Sequence, residues 1–118
     1  MVDAQTGNAN SAQAIFNNVY IPYVQAMQAA GATRVILRTT IPRTGFNTTS
    51  NYREIARQYL NNLIIANAAT YGYVVADVAS IPELQTFDPT YYASDNIHLT
   101  SAGYTKYEAV QLPLILGA

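Results

Sequence analysis

The sequence predicts an α/β fold in which a parallel sheet is flanked by helices. Three observations lead there. A helical period runs through residues 11–30, with apolar positions at Ile15, Phe16, Val19, Tyr20, Tyr23, Val24 and Met27. Two apolar, β-branched stretches follow at 34–41 and 73–78, each after a helical segment. The connections in this helix–strand–helix–strand order are short, and consecutive strands joined in this way lie parallel.

Taken in order, residues 1–10 read as a short polar lead that ends at Ser11, a suitable N-cap. Pro22 interrupts the first helix, which either kinks there or restarts with Pro22 in its first turn. Gly31 suits its C-terminal end. The strand at 34–41 is continuously apolar at its centre and stopped by Pro42, which predicts cover on both faces. A polar loop, 43–50, leaves its carboxyl end and contains the glycosylation triplet Asn47-Thr48-Thr49. Asn51 then caps a second helix, with Glu54 three residues on as in a capping box. Its apolar face is Ile55, Tyr59, Leu60, Leu63 and Ile64, reaching Asn67, and Gly72 ends it. After the second strand, 81–94 is irregular, with Pro82 and Pro89. A last helix at 105–112 is limited by Pro113. No repeat, linker or low-complexity tract divides the chain, so 1–118 reads as a single domain.

Composition narrows the function classes. Charged residues make up only 11% of the 118, and the net charge is −1, so there is no electrostatic case for nucleic acid or an anionic membrane as partner. No apolar run reaches the length of a membrane span. Without cysteine there is no disulfide or thiolate metal site, and one histidine with scattered carboxylates offers no metal-ligand spacing. No cofactor is implied, since no glycine-rich phosphate loop is present. The start of the chain lacks the charged head and apolar stretch of a signal peptide. A surface rich in Tyr, Asn and Thr leans towards a secreted or particle-associated protein.

The chemistry concentrates in Asp95-Asn96-Ile97-His98-Leu99-Thr100-Ser101-Ala102-Gly103-Tyr104, which holds the only histidine. An imidazole serves as general base when a partner fixes its tautomer and stabilises its cation. Asp95, three residues before His98, can curl back and accept the proton of the ring nitrogen that faces away from a substrate. Thr100 and Ser101 can cap the helix that follows.

This stretch resembles the last signature block of the SGNH hydrolases, the GDSL-type esterases and lipases, whose usual form reads DGIHLT..GY. In that family the Asp-x-x-His supplies two members of a Ser-His-Asp triad, and Asp95 and His98 match those positions. The resemblance implies a flavodoxin-like, three-layer SGNH fold. Within it, GATRVILRTTIPR is similar to the fourth strand and YGYVVADVAS to the fifth. Thr6-Gly7-Asn8-Ala9 falls where the family carries Gly-x-Asn-Asp, whose Asn donates to the oxyanion. Only Asn8 of that block is kept, a one-residue slip would favour Asn10 instead, and both asparagines also read simply as the start of a helix.

The Gly-Asp-Ser block and the second, Gly-bearing block do not occur in this sequence. None of its five serines (Ser11, Ser50, Ser80, Ser94, Ser101) follows Gly-Asp or lies in G-x-S-x-G, and Ser50 and Ser101 read as caps. The resemblance therefore covers nearly all of this chain but only the rear half of an SGNH domain, truncated at its N-terminal side. A sheet lacking its central strand exposes an edge, so a homo-oligomer or a complementing chain is expected. The implied activity is hydrolysis of short acyl esters or carbohydrate O-acetyl esters, with the serine supplied by another chain or from an unconventional position. The alternatives are a non-catalytic interaction or structural module built on half of the fold, and a sugar-binding surface of the ten tyrosines.

Overall fold

The computed structural model describes residues 4–44 and 52–117, with side chains described from Asn10 onward. The elements are α1 (Ala4–Ile15), a π turn (Phe16–Tyr20), α2 (Ile21–Ala29), β1 (Ile36–Arg38), α3 (Tyr52–Ala66), α4 (Ala68–Tyr71), β2 (Val74–Ala76) and α5 (Ser101–Ile115). Two 3-10 turns, Val78–Ser80 and Pro82–Leu84, lie between β2 and α5. The chain is thus α/β, and β1 and β2 form a two-stranded parallel sheet with Ile36 beside Val74, Leu37 beside Val75 and Arg38 beside Ala76.

The helix expected to start at Ser11 begins at Ala4, which places Ser11 inside α1. Packing against α3 overrides the weak propensity of Thr6-Gly7-Asn8, and Ala12 is buried in the process. Of the two alternatives at Pro22, the chain takes the restart, after one π turn. The N–H of Ile21 reaches back five residues to the Phe16 carbonyl, and Pro22 falls in the first turn of α2, where its missing N–H is tolerated. Gly31, at φ +100°, ends α2 as expected. Its N–H meets the Gln28 carbonyl at 3.0 Å and that of Ala32 meets Met27 at 3.0 Å, a complete Schellman motif.

Both strands are shorter than expected. Val74 donates to Val35 at 2.9 Å and Thr39 to Ala76 at 3.1 Å, but beyond that the backbone of Thr40 is taken by α3. Its N–H donates to the Asn61 side-chain oxygen Oδ1 at 2.8 Å, and its C=O accepts from Asn61 Nδ2 at 3.0 Å and Arg57 at 2.6 Å. Cover on both faces also fails in part. Val35, Leu37 and Thr39 are buried, whereas Arg38 and Thr40 are exposed. The buried face joins Phe16, Ile21, Val24, Ile64 and Tyr73 in one core. A second core, Val78, Ile81, Leu84, Tyr92 and Leu99, receives Tyr107 and Val110 from α5.

Of the apolar face read for α3, Ile64 is buried and Leu60 and Leu63 pack against the core, but the fully buried stripe is mostly polar. It is Glu54, Arg57, Asn61 and Ile64, and Tyr59 is exposed. Glu54 is engaged within α3. Its carboxylate is bound by two of the three Arg57 guanidinium nitrogens, one at 2.7 Å, and by Gln58 at 3.0 Å. Asn51, Ser50 and the Asn47 triplet lie outside the described residues. Asn67 breaks the helix before the single turn of α4, and Gly72, at φ +76°, closes that turn. At the other end, α5 is longer than 105–112 at both termini. It contains Pro113, whose missing N–H deprives only the carbonyl of the exposed Ala109.

Candidate functional site

The site is the loop between Asp88 and α5, and local backbone chemistry shapes it. Asp88 Oδ1 accepts the Thr90 N–H at 2.8 Å, and its carbonyl accepts those of Tyr91 (2.9 Å) and Tyr92 (2.8 Å), which turns the chain. Tyr92 and Leu99 pair antiparallel; Ala93 donates to His98 at 2.9 Å and Thr100 to Tyr91 at 2.9 Å. Residues 93–98 therefore form a closed loop on a two-rung stem. The stem is pinned from inside by Tyr92, whose buried hydroxyl lies 2.9 Å from the carbonyls of both Pro42 and Leu84. Burial pushes that phenol up to about 12.

At the loop tip Asn96 takes φ +55°, a left-handed conformation that asparagine tolerates. This reversal brings the backbone N–H groups of Ile97 (2.9 Å) and His98 (3.0 Å) onto Asp95 Oδ1. The other carboxylate oxygen, Oδ2, lies 2.6 Å from His98 Nδ1. Both oxygens of Asp95 are thereby committed, and its pKa is lowered to about 2. The hydrogen bond from the His98 ring contributes most, followed by the backbone N–H groups of His98 and Ile97. With Nδ1 donating to Asp95, the neutral ring carries its lone pair on Nε2. The His98 side chain is 70% exposed, so that ring is open to a solute.

Two further contacts fix the loop from outside. Thr44, beyond the carboxyl end of β1, donates its N–H to the Asn96 carbonyl at 2.9 Å and its hydroxyl to the Asp95 carbonyl at 3.0 Å. Thr100 is the cap of α5: its hydroxyl accepts the Gly103 N–H at 3.2 Å and donates to Thr90 at 2.6 Å. Gly103 is buried where α5 crosses the stem. A Cβ there would drive into the Tyr91 carbonyl and come within 3.0 Å of Leu99 Cβ. Tyr91 is twelve residues earlier in the sequence, so no local pattern reveals this approach.

Two concavities flank the loop. A cavity of about 500 Å³ is lined by Phe87, Pro89, Tyr92, Ala93, Ser94, Asn96 and Thr100. A groove of about 580 Å³ runs along β1 between Tyr20 of the π turn and Tyr23 of α2 on one side and Tyr104, Tyr107 and Glu108 of α5 on the other, and reaches the loop at Ile97 and Leu99. His98 and Asp95 are thus brought together. Asn8 lies in the backbone of α1, with its side chain outside the described residues, and the alternative Asn10 is exposed. Among the described residues no serine hydroxyl is hydrogen-bonded to His98, no cluster of carboxylate and imidazole groups could hold a metal ion, and no helix is long and apolar enough to cross a membrane. The chain matches no protein-family model, no curated protein and no solved structure.

Proposed function

We propose that this chain carries the base and orienting members of a serine ester hydrolase of SGNH type, acting on short acyl or carbohydrate O-acetyl esters. The single observation that carries the reading is the 2.6 Å contact between His98 Nδ1 and an Asp95 carboxylate already held by two backbone donors. A carboxylate fixed in this way selects the Nδ1–H tautomer and stabilises the imidazolium formed when Nε2 takes a proton. His98 is then the general base and Asp95 its orienting residue. Acyl transfer also needs a nucleophile and oxyanion donors. The serine comes from another chain or from an unconventional position, and Asn8 is the proposed oxyanion donor.

Two positions support the resemblance to the DGIHLT..GY block beyond its letters. Asn96 stands at the glycine of that block and holds a positive φ. Gly103 stands at its later glycine, where no side chain fits. The three-layer SGNH architecture belongs to the same proposal, with the two parallel strands as its last two.

A second reading is a non-catalytic module on half of that fold, favoured by the absence of a serine bonded to His98 among the described residues. Hydrolysis of p-nitrophenyl acetate separates the two. The chain alone should show slow, base-assisted turnover, since a positioned general base contributes roughly 10²–10⁴-fold. That rate should vanish in His98→Ala and fall sharply in Asp95→Asn, and a fluorophosphonate probe should leave the intact mass unchanged. A rate indifferent to His98→Ala would favour the module. Stoichiometric labelling of one serine, with activity lost in His98→Ala, would show a complete esterase within these residues.

A further inference from the structure

We infer that the free edge of β1 is a docking site for the same edge of a second copy, giving a continuous four-stranded sheet. The inference does not depend on the ester-hydrolase reading. In the ladder with β2, Val35, Leu37 and Thr39 direct their backbone groups to the partner strand. The alternation of a strand turns those of Ile36 and Arg38 the other way. Among the described residues nothing bonds to them, whereas Thr40 is already satisfied by Asn61 and Arg57. The open edge is therefore two residues long, with two donors and two acceptors. Unpaired edges of this kind template the addition of a strand.

The surfaces on either side are apolar. Ile15, Val19, Tyr23 and Met27 recur every fourth residue along α1, the π turn and α2, and all four are exposed. Across the edge, Tyr104, Leu112 and Leu116 of the α5 segment line a second concavity that shares Tyr104 and Glu108 with the groove. A radius of gyration of 15.3 Å exceeds the about 13.5 Å expected of a compact chain of this length, as suits a half-assembled layer.

Charge permits a second copy as occupant and selects its register. A net charge of −1 puts no long-range repulsion between copies. A two-fold axis normal to the sheet pairs the edges antiparallel and keeps like helices on like faces. Centring it on Ile36 would set Arg38 opposite the partner's Arg34. Centring it on Arg38 would oppose two Arg38 side chains and require the occupied backbone of Thr40. Centring it on Leu37 sets Arg38 opposite the partner's Ile36, avoids both arginine clashes and uses all four free backbone groups. Glu108, on the groove wall, offers a carboxylate to the partner's Arg38.

Sedimentation equilibrium tests this. The chain should sediment at twice its 12.9 kDa, with the Ile36 and Arg38 amides protected from hydrogen exchange. Ile36→Pro removes an edge donor that has no partner within the chain, a change edge strands tolerate. Val19→Asp alters only the exposed α2-side stripe. Each should return the protein to 12.9 kDa with an unchanged circular dichroism spectrum. A folded parent that stays monomeric throughout its soluble range would overturn the inference and leave the edge to a different chain. A dimer that survives both substitutions, or that leaves the two amides unprotected, would overturn it equally.

Discussion

Arg57→Ala should be among the most damaging single changes in the molecule, costing about 3–5 kcal/mol as a buried ion pair loses one member. Glu54 and Arg57 side chains are only 6% and 8% exposed. Removing the guanidinium strands the Glu54 carboxylate in the interior with, among the described residues, only Gln58 to bond it, and takes one donor from the Thr40 carbonyl at the end of β1. The double variant Glu54→Leu, Arg57→Met should recover much of the loss, because well-packed apolar residues of similar size often replace a buried pair without penalty. Urea midpoints of the parent, the single and the double variant check this. A single variant within about 0.5 kcal/mol of the parent, the range of ordinary surface changes, would mean that water reaches the pair.

Gly103→Ala should be comparably severe for a different reason. The backbone there is not in a glycine-only conformation; the constraint is space. The added methyl would push into the Tyr91 carbonyl, which is also the acceptor for the Thr100 N–H at 2.9 Å. Either α5 lifts off the stem or the stem opens. Overpacking of this kind costs about 1–3 kcal/mol and occasionally more, and a backbone obstacle belongs at the upper end. Because the same stem positions the loop, His98 and Asp95 should lose their contact before the fold as a whole is lost. Thermal melts, read beside the His98 ring signals in the NMR spectrum, would detect this. Unchanged melting and ring shifts would show that the helix can slide.

How much of this was legible in the sequence depends on the range of each interaction. Asp95 and His98 are three residues apart, and the turn that joins them is written in the intervening Asn96, so their contact can be anticipated from local chemistry alone. Gly31 and Gly72 were legible for the same reason, each closing a helix through bonds a few residues long. The Glu54–Arg57–Asn61 stripe was not. Reading a helix face by its apolar residues assigns such a stripe to solvent, and only the approach of Thr40, from another element, makes polar side chains the better filling. The N-terminal extension of α1 was hidden likewise, since Thr6-Gly7-Asn8 is a poor helix by propensity and the packing against α3 is tertiary. The strands were correctly placed and too long, because apolar sequence continues past the point where β2 and α3 divide the backbone bonds of β1 between them.

The central claim is that Asp95 is held ionised and aimed at His98, and a carboxyl titration followed by carbon NMR tests it most directly. Asp95 should titrate at about 2 rather than at its ordinary 3.8. A carboxylate depressed in this way stabilises the loop fully above the ordinary value, and that contribution fades as pH falls from 3.8 through about 2. In His98→Ala the strongest donor is gone, so the midpoint should rise. It should stop short of 3.8, since the N–H groups of Ile97 and residue 98 still point at Oδ1. A parent midpoint near 3.8, or the same midpoint in parent and variant, would contradict the account, because the two side chains would then not meet in solution.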